Sequence, residues 1–160
     1  MLPTRYTLEG RREAVADDEW PNFQLDGYGT WLFAIESHLG GEVSGDAARA
    51  VEIASDYLAA AWQLPCYDYW EEFGDRVHAS TLAAVEAGLH AAAAMLNRDD
   101  LEQTARAVNQ KLVTECVVGG AFVKGPSDDR VDASLISIAT PFNLVAVDDP
   151  RMSATIERIR

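Results

Sequence analysis

The chain has 160 residues, enough for one domain with a buried core, and a formal net charge of −13. This acidity argues against nucleic-acid binding, because phosphate recognition needs clusters of Lys and Arg. The many alanines favour helices. No apolar run reaches the roughly 18 residues of a membrane span, and the N-terminus lacks the apolar core of a signal peptide. Cys66 and Cys116 have no metal-ligand spacing and are predicted to be reduced thiols in a cytoplasmic protein.

Apolar residues at helical spacing predict two antiparallel helices in the first part of the chain. The first begins at Asp26 and ends at Gly40 and Gly41. Its predicted buried face consists of Tyr28, Trp31, Leu32, Ile35 and Leu39. Asp46 is predicted to cap the second helix, which Pro65 ends.

The second half of the chain continues the helical pattern. Ser80 or Thr81 opens a third helix, and a fourth begins at Asp99 or Asp100 and ends at Gly119 and Gly120. The buried face of the fourth is predicted to be Leu101, Ala105, Val108 and Leu112. A turn-rich segment with a short strand over 121–124 follows, then a short helix in DASLISIA and a last helix with Pro150 in its first turn. Because that helix is still continuing at Arg160, the chain is expected to be truncated.

The loop after Pro65 combines aromatic rings with carboxylates: Tyr67, Tyr69, Trp70, Glu71, Glu72 and Phe73. In one interpretation the rings cap the core and both glutamates face water. In the other they form a sugar site, because rings stack on a pyranose and carboxylates bind its hydroxyls. A second cluster, WPNFQLDGYGTW, favours the sugar site. A carboxyl buried against rings would have a raised pKa and could act as a general acid.

The remaining motifs and the histidines give no comparable indication of a functional site. No dinucleotide-binding, phosphate-loop or metalloprotease motif occurs, so neither a cofactor nor a metal is expected. The histidines are too scattered to indicate a metal site. His90, in an alanine-rich helix, is predicted to be structural, whereas His78 either shapes the loop or supports the site from behind.

Several segments resemble, in this order, glycoside hydrolase family 15, which holds the glucoamylases, glucodextranases and isomaltose glucohydrolases. They are RYTLEG, WPNFQLDGYGTWL, CYDYWEEFGDRVHASTLAA, DASLISIATPFN and DDPRM. The W-E-E and W-x-x-x-Q-x-D-G motifs are the more specific. The resemblance covers almost the whole chain and implies the central part of a catalytic domain. The implied fold is all-α, with roughly half of the family's twelve-helix (α/α)6 barrel.

The resemblance implies an inverting, exo-acting α-glucoside hydrolase that releases β-glucose. The residues in and around its motifs are most similar to members that cleave short α-1,6-linked glucosides. Carried over by motif, Glu71 is the general acid, and Trp70 and Glu72 bind substrate. The other motif supplies three further substrate-binding residues, Trp20, Gln24 and Asp26. Leu25 occupies a position that is often basic in fungal glucoamylases, so the linkage preference stays open.

Adjacent glutamates cannot supply both groups of an inverting mechanism, because acid and base stand roughly 6.5–9.5 Å apart. The resemblance places the base downstream of Arg160, and an Arg-Asp pair that grips the terminal glucose upstream. Residues 1–160 are therefore predicted to be one truncated domain, inactive alone and able to self-associate through an exposed half-barrel face. The expected partner is an α-glucoside or oligosaccharide, with no nucleic acid and no membrane.

Three alternatives remain open from the sequence. One is an α,α-trehalase of the same family, which uses the same inverting logic on a different linkage. Another is a saccharide-binding helical protein without catalysis. The third is a purely structural helical array, which would bind no saccharide.

Overall fold

The computed structural model describes residues 6–11 and 23–160. Its α-helices are α1 (Asp26–Leu39), α2 (Gly45–Ala61), α3 (Ala79–Leu96), α4 (Asp99–Glu115) and α5 (Pro150–Ile159). Two short strands, β1 (Val117–Val118) and β2 (Ala121–Phe122), pair as an antiparallel hairpin. A 3₁₀ helix covers Ala133–Ile138. The mostly helical architecture predicted from the sequence is confirmed in these residues.

Helix α3 lies at the centre of the array, in contact with α1, α2, α4 and the 3₁₀ helix. It is buried on nearly every side, because its many alanines let the neighbouring helices approach closely. Among the described residues it is the one helix long and apolar enough to cross a membrane, which corrects the expectation that no segment reaches this length. Since 72% of the helix is buried inside the fold, its apolar surface serves packing between helices.

The contact between α1 and α3 is made by backbone rather than by large side chains. A Cβ atom on Gly29 would lie 2.2 Å from the carbonyl oxygen of Ala84, and one on Gly88 would lie 2.5 Å from the carbonyl oxygen of Gly29. Because Gly29 faces α3, the buried face of α1 differs in part from the predicted one. Leu32 is buried as predicted, but Trp31 is 38% exposed and Gly29 takes the central contact position.

The predicted buried face of α4 is confirmed, since all four of its residues are buried. The predicted end of this helix is wrong. The helix stops at Glu115, and Gly119 and Gly120, with φ of 60° and 79°, form the turn between β1 and β2. The Phe122 amide then donates to the Thr155 hydroxyl oxygen over 2.8 Å, which joins the hairpin to α5.

At the starts of the described α-helices, a side-chain cap hydrogen bond is found in α5, whereas α1 to α4 have none. In α2, Ser44 is at the N-cap position and Asp46 lies in the first turn instead of capping. In α5, Pro150 is in the first turn as predicted, and the Asp149 carboxylate accepts a hydrogen bond from the Arg151 amide over 2.8 Å. An N-terminal carboxylate also interacts favourably with the helix dipole.

Several large apolar side chains are exposed on this array: Trp31, Leu39, Ile53, Leu64, Val118 and Val147. Exposed apolar surface favours association when it forms a contiguous patch. Self-association of the chain through such a face stays a prediction.

Candidate active site

The loop that carries the W-E-E motif joins α2 to α3 and is closed at its base. The Cys66 amide donates to the Arg76 carbonyl oxygen over 3.0 Å. His78 is buried, and its Nε2 lies 3.0 Å from the carbonyl oxygen of Cys66 and 3.1 Å from that of Phe73. Because both partners are acceptors, Nε2 carries the proton and donates to them. Of the two roles the sequence left open for His78, the structure supports shaping the loop.

The top of the loop has an unusual backbone conformation. Glu71 and Phe73 have φ of 60° and 51°, in the left-handed region that residues other than glycine rarely adopt. The side chain of Asp68 stabilises this turn, because its Oδ1 accepts hydrogen bonds of 2.9 Å from the amides of both Trp70 and Glu72. Its carbonyl oxygen accepts a third bond, of 3.0 Å, from the Glu71 amide. Asp68, only 2% exposed, therefore sets the backbone of the motif.

A buried lysine links this turn to the segment before the 3₁₀ helix. The Lys124 Nζ lies 3.0 Å from Asp68 Oδ2 and 2.7 Å from Asp132 Oδ2, and the Trp70 indole N–H donates to Asp132 Oδ2 over 3.2 Å. Burial lowers the pKa of Lys124, but the bonds to both carboxylates outweigh this and leave it raised. Burial raises the pKa of Asp132, but its bonds to Lys124 and Ser134 leave it lowered. Lys124 and Asp132 therefore stay charged at neutral pH.

Phe73 holds the same two segments together through its ring. The guanidinium carbons of Arg76 and Arg130 lie 4.7 Å and 4.8 Å from the ring centroid, and Lys124 Nζ lies 5.3 Å from it. Arg76 also forms a 2.9 Å ion pair with Asp128. Cations at such distances are attracted to the electron-rich face of an aromatic ring. Nothing in the sequence pattern pointed to this arrangement.

The glutamates themselves stand in solvent. Glu71 and Glu72 are exposed, and Trp70 is 55% exposed. The predicted burial of Glu71 against aromatic rings is not found among the described residues. Its assignment as the acid, and that of Trp70 and Glu72 as substrate-binding residues, stay predictions.

An open groove of about 340 Å³ runs beside the motif. It is lined by Tyr69 and Trp70 of the loop and by residues of and just after the 3₁₀ helix, among them Ser134, Ile136 and Ser137. A mostly apolar lining with a few hydroxyl groups suits a sugar, whose ring faces are apolar and whose rim is polar. Across residues 6–11 and 23–160, no group of three His, Cys, Asp or Glu side chains could hold a metal ion.

The residues of the second motif are placed less favourably for sugar contact. Asp26, the first residue of α1, is 8% exposed, and burial raises its pKa. Its Oδ1 has no hydrogen-bond partner among the described residues. Gln24 is half-buried and Leu25 belongs to the core, while Trp20 lies outside the described residues. Substrate binding by Trp20, Gln24 and Asp26 stays a prediction.

Comparison with known proteins places the motif in a family. The sequence model of the glycosyl hydrolases family 15 matches residues 4–160. This chain belongs to that family. The resemblance inferred from the W-E-E and W-x-x-x-Q-x-D-G motifs is therefore confirmed.

Two relatives illustrate how much of a family 15 protein this chain covers. It is 39% identical over 158 residues to the isomaltose glucohydrolase of Kribbella flavida, covering 93% of this chain and 40% of that protein. It is 33% identical over 156 residues to an uncharacterized glycosyl hydrolase of Methanocaldococcus jannaschii, covering 85% of this chain and 25% of that protein. The chain thus spans less than half of either relative.

Solved structures agree with the sequence relatives. A wild-type glycosidase superposes with a TM-score of 0.84 at 37% identity, covering 99% of this chain and 44% of that one. A variant glycosidase in complex with glucose gives the same TM-score, identity and coverage. The predicted fold class, an all-α part of an (α/α)6 barrel, is confirmed.

Proposed function

We propose that this family 15 chain carries the acid-bearing part of an inverting, exo-acting α-glucoside hydrolase. The observation that carries the proposal is the W-E-E loop itself. Trp70 lines a mostly apolar groove, and Glu71, the next residue, is exposed on a turn fixed by a buried aspartate. The similarity to an isomaltose glucohydrolase supports short α-1,6-linked isomalto-oligosaccharides as substrates.

In this proposal Glu71 donates a proton to the glycosidic oxygen as the bond to C1 breaks. The ring of Trp70 packs on an apolar face of the sugar, and Glu72 accepts hydrogen bonds from its hydroxyls. Water attacks C1 from the opposite face, which inverts the anomeric configuration. The isolated proton transfer is worth typically about 10²–10⁴-fold in rate.

The base that activates this water is proposed to lie outside residues 1–160. Glu72 is too close to Glu71 in the chain, since acid and base in inverting enzymes stand roughly 6.5–9.5 Å apart. Asp68 and Asp132 are both bonded to Lys124, and Asp68 is buried as well. Glu9 is exposed in the short N-terminal segment, outside any motif of the family's base.

The stereochemical course tests the proposal directly. The protein that carries this chain is incubated with isomaltose, and proton NMR follows the first glucose released. We expect β-glucose, produced from isomaltose and not from trehalose. Initial release of α-glucose would contradict inversion, and cleavage of trehalose alone would favour the trehalase. Saccharide binding by calorimetry without any turnover would favour the non-catalytic binding protein.

The 160-residue polypeptide by itself is expected to be inactive. Loss of general-base assistance alone removes about 10²–10⁴-fold in rate, and substrate positioning from the remaining parts of the site is lost too. Glucose release from isomaltose and maltose measures this. Ordinary enzymatic turnover that disappears in Glu71→Gln would show that the base lies within these residues.

A further inference from the structure

We propose that Lys124 is a positioning residue for the W-E-E loop, holding the backbone around Glu71 through Asp68 and the indole of Trp70 through Asp132. The inference deepens the proposed function and rests on it for its catalytic consequence. Lys124 itself is 8% exposed, so it acts through its two partners and does not touch substrate.

Lys124 acts first on the backbone around Glu71. One oxygen of Asp68 binds the amides of Trp70 and Glu72, and the other binds the Lys124 ammonium over 3.0 Å. Fixing the second oxygen fixes the rotation of the whole carboxylate, and with it the direction of the two amide bonds. The left-handed φ of 60° at Glu71 lies between those two amides. The orientation of the Glu71 carboxyl therefore depends on a lysine in a different segment.

Lys124 acts second on the segments that line the groove, through Asp132. Asp132 Oδ2 accepts from Lys124 and from the Trp70 indole, while its Oδ1 accepts from the Ser134 amide over 2.9 Å at the start of the 3₁₀ helix. Trp70, from the loop, and Ser134, from the 3₁₀ helix, both line the groove. One ammonium thus links the two segments that line the groove and the turn that carries Glu71.

Charge explains why only a cation serves at this position. Asp68 and Asp132 both point an oxygen at the same ammonium, so removing it leaves two carboxylates facing each other. Neighbouring like charges in a partly buried site repel, and one carboxylate must move or bind a proton. Either change loosens the bonds to Trp70, at its amide or its indole, and so misplaces the reacting groups.

The structural test uses hydrogen exchange and needs no substrate. In the protein that carries this chain, Lys124→Met keeps the apolar stem and removes the charge, and Lys124→Arg keeps the charge. We expect faster exchange at the amides of Trp70 and Glu72 in Lys124→Met, with much of the protection recovered in Lys124→Arg. The matched control is Lys111→Met, which removes an α4 lysine paired with Glu115 and should leave both amides unchanged.

The kinetic test separates positioning from general loss of structure. Isomaltose needs protonation of its leaving group, whereas α-glucosyl fluoride needs little. For Lys124→Met we expect kcat on isomaltose to fall about 10²-fold, as for a misplaced catalytic group, with KM changed far less and a much smaller loss on the fluoride. A merely structural role would reduce the rates on both substrates by the same factor.

The outcomes are separable. Unchanged exchange at Trp70 and Glu72, or equal kinetic losses on the two substrates, would overturn the role of Lys124. A wild-type protein that cleaves neither substrate would sink the proposed function, while the exchange result would still decide the positioning. If Lys124→Met does not fold, Asp132→Asn decides: a shifted Trp70 indole N–H resonance and a selective loss on isomaltose support the link, and unchanged values refute it.

Discussion

The contact between α1 and α3 and the W-E-E loop are fixed in opposite ways. At the helix contact, glycines bring backbone against backbone, and an added Cβ at Gly29 would lie 2.2 Å from a carbonyl oxygen. In the loop, the glutamates are exposed, two residues have positive φ, and the shape depends on hydrogen bonds to Asp68 and His78. This contact between the two helices therefore leaves no room for added atoms. The loop has exposed side chains at its top and depends on the buried polar groups of Asp68 and His78 beneath them.

Adding atoms at the helix contact should have the largest effect on stability. Gly29→Val places side-chain atoms against the Ala84 backbone, and because neither helix can move without disturbing the core, we expect a loss of about 3 kcal/mol or more. Gly27→Ala is the control in the same helix, where a new Cβ meets nothing within 4 Å. It should stabilise slightly, by about 0.5–1 kcal/mol. Urea denaturation measures both, and a wild-type midpoint for Gly29→Val would refute the close contact.

Removing a buried polar partner from the loop should reduce the free energy of unfolding by less than Gly29→Val does. His78→Phe keeps an aromatic ring but leaves the Cys66 carbonyl without its donor and the Phe73 carbonyl with the Arg76 amide alone, at an expected cost in unfolding free energy of about 1–3 kcal/mol. His90→Phe is the control, since the imidazole of His90, which lies 2.7 Å from the Glu102 carboxylate, is 67% exposed. That change should stay within about 0.5 kcal/mol. Equal midpoints for the two variants would show that His78 does not hold the loop.

Replacing a half-buried carboxylate of α3 should have the smallest effect on stability, and that effect should depend on pH. Burial raises the pKa of Glu86 on α3, although the Asn109 amide lies 3.5 Å away as a weak donor. The folded state therefore binds the Glu86 proton more tightly than the unfolded state does. The free energy of unfolding rises as the pH falls through the raised pKa of the folded state. Glu86→Gln should raise Tm at pH 7 by roughly 1–2 °C and have a much smaller effect near pH 4, which is below the ordinary pKa of a glutamate of about 4.3. Thermal scans at both pH values measure this, and a loss of stability at pH 7 would contradict it.

The sequence predicted the parts of this comparison that carry a periodic or local signal. The buried face of α4 and the position of Pro150 follow from apolar spacing and helix-start chemistry, and both are confirmed. The buried face of α1 was partly wrong because glycine carries no hydrophobic signal, although Gly29 makes the closest contact. The two-residue strand β1 is too short to show any alternation.

The candidate site, too, could be predicted from the sequence only in part. The W-E-E motif is visible in the sequence, and its family follows from it. The partner that holds it is not visible, since Lys124 is 56 residues from Asp68 and lies in a turn-rich segment without a motif. The exposure of Glu71 was also unexpected, because aromatic neighbours in sequence do not have to cover a side chain in space.

The acid role of Glu71 is tested most directly by comparing Glu71→Gln with Glu72→Gln on isomaltose and on α-glucosyl fluoride, in the protein that carries this chain. We predict that Glu71→Gln lowers kcat on isomaltose by about 10²–10⁴-fold or more with little change in KM, and keeps most of the activity on the fluoride. Glu72→Gln should mainly raise KM on both substrates. Equal losses on the two substrates in Glu71→Gln, or a selective loss on isomaltose in Glu72→Gln instead, would contradict the assignment of Glu71 as the acid.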